Sequence, residues 1–244
     1  MIKFSLTLIG ILFLWNASAQ PQELVAQTEE RTVKQEYVPQ TYLSMQTNWS
    51  LTTRSLTENK GVYGDPLGER ANERSVHRWS YSLGYLFDLN QYLAFESGLA
   101  VIRNGEAYSY NDPLSDSAYG YATTYSFLAL PVGLQFGVGK HVRFTAGCGI
   151  IPQLAATYRQ DIIWTTAIKN SSSETVKQPI ATKLNSFVSS VYVKCGIHFH
   201  GQGVWGLVLE PQMRLQLTSS YQSLDSFIHK TRAIGLTLGL IRKL

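Results

Sequence analysis

Five charged residues interrupt runs in which large apolar residues alternate with small ones: Glu96, Arg143, Lys194, Glu210 and Arg214. By parity each falls with Gly, Ala and Ser on the small face of its run. Such a face is crowded and shielded from water, and a charge there is costly unless it is paired. Two acids against three bases imply a polar network in which these five residues neutralise one another. Glu96 or Glu210 could also serve as a general acid or base in an enclosed lumen, but nothing beside them completes a catalytic set.

Other reactive residues are scattered. His198 and His200 sit at i and i+2, and His141 opens the neighbouring run, so two ring nitrogens and a third ligand could share a metal. The plainer reading is a polar rim, and the expectation is no metal and no cofactor. Cys148 and Cys195 occupy the same apolar face of two runs expected to be neighbours, which allows either a cross-strand disulfide or two free thiols. Ser226, His229 and His77 lie where an envelope lipid-modifying enzyme would want them, but no Ser-His-acid spacing is recognisable. Gly133, Gly137 and Gly139 do not open a helix, so they form no phosphate cradle. Tyr108, Tyr110, Tyr119 and Tyr121 cluster in one polar stretch and are candidates for recognising a partner or glycan.

The elements that would position these residues are β-strands with a period of two. Eight runs alternate: Tyr42 to Leu51, Val76 to Phe87, Tyr92 to Arg103, Leu128 to Val138, Val142 to Ile150, Phe187 to Phe199, Trp205 to Leu217, and Ala233 to Leu240. Most approach or exceed the 9–11 residues with which a tilted strand crosses a bilayer. Tight turns at Asp88-Leu89-Asn90, Gly139-Lys140 and Gly201-Gln202-Gly203 alternate with polar stretches at 52–75, 104–122, 159–185 and 219–230. Short turns on one rim and long loops on the other are the pattern of outer-membrane barrels, with the short side periplasmic. An even strand number puts both termini on that side. The segment from Ile162 to Ile168 could extend a hairpin above the membrane, with ten strands as a minority alternative.

The N-terminus carries Lys3, an apolar run from Phe4 to Trp15, and Asn16-Ala17-Ser18-Ala19. This is the anatomy of a secretory signal, too short to span a membrane. The expected organisation is a signal peptide over 1–19, a Gln- and Glu-rich periplasmic tether over 20–40, and a barrel domain over 41–244. A formal charge of +4, with no basic cluster, gives no reason to expect nucleic-acid binding.

Which face meets lipid decides the class. A secreted soluble barrel also alternates, but its outer face would be rich in Lys, Glu and Thr. Here the polar face is mostly small, as suits the inside of a narrow barrel. The aromatics Trp49, Trp79, Tyr81, Tyr85, Phe87, Phe199 and Trp205 fall on the apolar face near its two ends, as interfacial belts do. The fold expected is therefore all-β, a transmembrane antiparallel up-and-down barrel of eight strands with a side-chain-filled lumen.

The run Tyr125-Ser-Phe-Leu-Ala-Leu-Pro131-Val-Gly133-Leu-Gln-Phe-Gly resembles a strand of the PorT-like outer-membrane β-barrel family of Bacteroidetes. Phe144-Thr-Ala-Gly147-Cys-Gly149 and Ala233-Ile-Gly235-Leu-Thr-Leu-Gly239-Leu resemble its Gly-rich segments, and the signal ending Ala-Ser-Ala-Gln suits that phylum. The likeness covers about 41–244. It departs at Leu128 to Leu130, where the family carries an acid before the Pro, and at Leu244, where such barrels often end in an aromatic. The resemblance implies the fold and an outer-membrane address. Together these readings give a non-enzymatic barrel in contact with outer-membrane lipid, structural or binding an envelope protein partner through its long outer loops. A subunit of a secretion or envelope-assembly complex is the second reading, and a lipid-modifying enzyme the third.

Overall fold

The computed structural model describes residues 37–58, 70–166, 168, 170–179, 184–201, 203–222 and 227–244. The expected signal peptide and most of the tether lie outside the described residues. The strands are β1 (Thr41–Glu58), β2 (Glu73–Arg74), β3 (Val76–Asp88), β4 (Leu93–Asn111), β5 (Ala118–Ala129) and β6 (Val132–Val138). They continue with β7 (Val142–Thr165), β8 (Ser171–Val176), β9 (Phe187–His200), β10 (Trp205–Gln216) and β11 (Phe227–Lys243).

Every pairing is antiparallel, and the sheet closes on itself. β3 pairs with β1 and β4, β7 with β5, β6 and β9, β10 with β9 and β11, and β11 returns to β1. β5 and β6 are two parts of one wall element. Against β4, Ala100↔Ala129 and Ser97↔Val132 keep a single register across the gap at Leu130 and Pro131. Counted together they make eight staves, with β2 and β8 as short additions on β4 and β7. Pro131 causes the gap, because it has no N–H to offer β4. On its other side the wall holds, with Leu130 N donating to Pro152 O at 3.0 Å.

Closure explains the alternation. With no free edge, every stave has one face to the axis and one outward. Leu43, Met45, Leu83, Leu99, Leu134, Phe144, Leu207 and Leu238 all point out and are exposed. Ser50, Ser80, Gln135, Gln153, Glu210 and Thr237 point in and are buried. A soluble protein would not leave so continuous an apolar exterior in water; it is a surface for hydrocarbon. Aromatics flank it. Trp49 and Trp79 face each other toward one end, with ring centroids 6.4 Å apart. Trp205 lies toward the other, with the Arg242 guanidinium 5.6 Å from its ring. Tyr81, Tyr85, Phe87 and Phe199 also point outward. Among the described residues, no helix is long and apolar enough to cross a membrane.

Both ends of the described barrel sit on the short-turn rim, where Leu244 N donates to Thr41 O at 2.9 Å. In the turn after β6, Gly139 has φ +117, a conformation that a side chain would strain.

The stretches at 52–75, 104–122 and 159–185, expected as loops, begin or continue as strand where they are described. β1 runs on to Glu58, β4 and β5 continue as a paired ladder to Asn111↔Ala118, and β7 reaches Thr165 with β8 laid against it. Beyond the bilayer an outward side chain no longer has to be apolar, so the hydrophobic alternation disappears although the backbone ladder goes on. The Ile162 segment does extend a hairpin, while the ring stays at eight staves.

Candidate functional site: the charged lumen and its outer mouth

The lumen holds its ions in separate layers. Near the short-turn rim, Arg143 Nη1 bonds Asp88 Oδ1 at 3.1 Å, both buried. Gly137 lies against this guanidinium, which fills the space a Cβ would need. Asp88 read as a turn residue; it is the last residue of β3, and its carboxylate turns inward.

The middle layer centres on Glu210, which has no exposed surface. Its Oε2 accepts from Lys194 Nζ at 3.0 Å. Its Oε1 lies 2.8 Å from His198 Nε2 and accepts from Gln135 Nε2 at 2.7 Å and Thr145 Oγ1 at 3.2 Å. Lys194 also reaches Glu96 Oε2 at 2.6 Å, and the Tyr192 hydroxyl donates to Glu96 Oε1. Tyr192 can lie across the lumen because Gly133 and Gly149 leave it room; a Cβ on Gly133 would overlap its hydroxyl. Five elements, β4, β6, β7, β9 and β10, thus converge on one carboxylate pair. A polar group buried in this way stabilises a barrel only when it is partnered, and both Glu210 oxygens have partners.

Of the five residues expected to neutralise one another, Glu96, Lys194 and Glu210 do so. Arg143 instead takes Asp88, and Arg214 meets no carboxylate among the described residues. Parity assigns a side chain to the lumen but not to a layer, because layering depends on the stagger of the strands around the ring. His198, expected at a polar rim, belongs to the middle layer. His200 sits beside Tyr42, with ring centroids 5.4 Å apart. Among the described residues, no three of His, Cys, Asp and Glu gather as a metal set. Cys148 and Cys195 are exposed free thiols, and the register sets Cys195 opposite Ala146 and Cys148 opposite Val193.

A third layer lies at the outer mouth, above the apolar belt. Glu106 Oε2 bonds His229 Nε2 at 2.6 Å, and Glu106 Oε1 accepts from Tyr125 Oη at 3.1 Å. Tyr221 Oη lies 2.8 Å from Tyr125 Oη. Burial alone would raise the Glu106 pKa, but His229, and after it Arg54 and Tyr125, hold it below the ordinary carboxylate value. Higher still, Arg54 bonds Glu73 at 3.0 Å and lies over the rings of Tyr108 and Tyr121. Tyr108 and Tyr121 stack at 5.6 Å, and Tyr119 contacts both Tyr121 and Trp164. Of the four tyrosines expected on display, three pack into this inner stack, and Tyr110 at 40% is the exposed one. Glu106 was missed, and His229 was noticed only as an outer-rim residue without its partner, because both lie in stretches that read as loops. Their inward parity becomes visible only once the strands are known to continue.

Beside the middle layer lies a cavity of about 90 Å³, lined by Ser44, Asn48, Ser80, Glu96, Lys194, Glu210 and Arg214 among others. A smaller void of about 10 Å³ touches Arg214, Gln153 and Gln216.

No protein-family model matches the chain, and no curated protein matches it. Several solved structures align with it. OprG from Pseudomonas aeruginosa, an outer membrane protein, aligns at 8% identity over 84% of this chain and 96% of its own, with a TM-score of 0.44. Neisserial surface protein A aligns at 11% identity over 83% and 97%, with a TM-score of 0.39. Ail, the attachment invasion locus protein of Yersinia pestis, aligns at 9% identity over 82% and 98%, with a TM-score of 0.31. At these values the comparisons add nothing to what the closed ring and its outward face establish: this chain is an eight-staved, antiparallel β-barrel with an apolar exterior.

Proposed function

We propose that this chain is a non-enzymatic barrel of a bacterial outer membrane, closed to ion flow, that serves as a fixed mount for an extramembrane β-wall offered to an envelope partner. The observation that carries this reading is the length of the staves. β1, β4 and β7 run 18, 19 and 24 residues, where about 9–11 cross a bilayer. The excess is ordered ladder that projects from the long-connection rim. The ion-paired layers and the stacked tyrosines close the lumen beneath it, which favours a mount over a pore. In this reading the short-turn rim and both ends of the barrel face the periplasm. A place in a secretion or envelope-assembly machine is the finer version, and it rests on the PorT-like resemblance.

The test shortens the β4–β5 and β7–β8 hairpins to their last membrane residues. The trimmed protein should insert and resist denaturation as before, while cross-linking in native membranes loses the neighbour captured by the full-length chain. Planar-bilayer recordings should show no conductance above background for either form. Steady single-channel currents from the intact barrel, or failure of the trimmed barrel to insert, would overturn the proposal.

A further inference from the structure

Arg214 is unlike the other luminal cations. Its residue is only 6% exposed, and among the described residues the one bond its side chain makes is Nη2 to Ser50 Oγ at 3.3 Å. Arg143 has Asp88, Lys194 has Glu96 and Glu210, and Arg54 has Glu73. No carboxylate among the described residues reaches Arg214. The closest acid along its own strand, Glu210, is four residues away, about 13 Å at ~3.3 Å per residue, and both its oxygens are occupied. A guanidinium stays charged at any physiological pH, and an uncompensated charge taken out of water is strongly unfavourable. The compensation must come from something other than the described side chains.

The surroundings have room for it. Arg214 lines both the large cavity and the small void. In the void, Gln153 Oε1 and Gln216 Oε1 have no hydrogen-bond donor, so one water could donate to them and accept from Arg214. The large cavity is different in scale. At about 10–15 Å³ of such space per water, its volume suits a small solute together with a few waters. Ser50 Oγ meets the guanidinium, and the large cavity that Arg214 lines also carries Asn48, Ser80 and Gln212 as neutral polar groups, with the carboxylates of Glu96 and Glu210 on it already held by Lys194.

We infer that the lumen binds a small monovalent anion, a carboxylate or a halide, on the guanidinium of Arg214. The anion supplies the missing counter-charge between the Glu210 layer and the Glu106 layer. The lumen then carries a compensated ion in each layer, and the barrel is closed in part by a component it takes from solution.

Bromide serves as the probe. The mature chain, refolded in detergent and crystallised, is soaked in sodium bromide, and anomalous scattering is measured at the bromine edge. A peak in contact with the Arg214 guanidinium is expected. In parallel, the melting temperature is followed against chloride or formate, with the HEPES sulfonate, neither a halide nor a carboxylate, holding ionic strength constant. The wild type should show a rise that saturates, R214K a weaker one, and R214M none. Should R214M fail to refold, the bromide map of the wild type decides alone. Bromide only at surface residues or nowhere, or an R214M response equal to the wild type, overturns the assignment.

Discussion

Replacing Lys194 by Met removes the cation shared by two buried carboxylates. The legs from Nζ, 2.6 Å to Glu96 Oε2 and 3.0 Å to Glu210 Oε2, bound the separation of the two oxygens at about 5.6 Å. Two unit charges at that distance repel by about 3 kcal/mol at an effective dielectric of 20. This agrees with the ~3–5 kcal/mol typical of breaking a buried pair by removing one partner. The K194M barrel should therefore lose about 3 kcal/mol or more, and a protein of this size melts roughly 2–4 °C lower per kcal/mol. Urea titration in lipid vesicles, followed by tryptophan fluorescence, measures the loss. The double variant K194M/E96Q should recover most of it, since Glu210 keeps Gln135, Thr145 and His198. A single variant within about 1 kcal/mol of wild type, or a double variant no better than the single, would refute the view that Lys194 acts as a shared counter-ion.

Three further outcomes follow from the geometry. P131A returns an N–H to the wall opposite Gly98 and should stabilise the barrel by about 1 kcal/mol, with slower amide exchange at Gly98 and Leu99 as the readout. Glu106 titrates below its ordinary range, so its contribution is complete above the normal carboxylate pKa and disappears as the pH falls through the depressed value. E106Q should flatten the acid limb of the stability profile, and an unchanged limb would discount the Glu106–His229 pair. Cys148 and Cys195 should both react with maleimide in detergent without prior reduction, and a reductant should leave electrophoretic mobility unchanged; a reductant-sensitive band would show that they bond.

The barrel was legible in the sequence to the extent that lipid imposes a pattern on it. Leu128, Leu130, Val132, Leu134, Phe136 and Val138 alternate because each faces hydrocarbon, and their parity places Gln135 and Gly133 inside without any further information. Where a stave leaves the bilayer, as at Glu106 in β4 or Arg159 in β7, that constraint lapses and the strand reads as a loop. The luminal network was legible as a set of residues but not as a set of partners. Arg143 meets Asp88 and Lys194 meets Glu96 across the barrel, contacts fixed by the stagger of the staves. The gap at Pro131 is the reverse case. The proline was visible, and its effect on the ladder follows from its missing N–H, yet the alternation through it is so regular that the run reads as unbroken.

The wall is joined along β1 and β11, whose ladder runs without a break from Tyr42↔Lys243 to Glu58↔Phe227. The first and last staves in chain order are therefore each other's neighbours, and until they meet each presents a row of unpaired amides and carbonyls that a bilayer interior cannot solvate. Unassisted insertion stave by stave is therefore disfavoured. The polypeptide has to be delivered through residue 243 and kept from pairing with other chains before its ends can zip together. A helper that shields one of these two edges during delivery would control whether the ring closes or the chain aggregates.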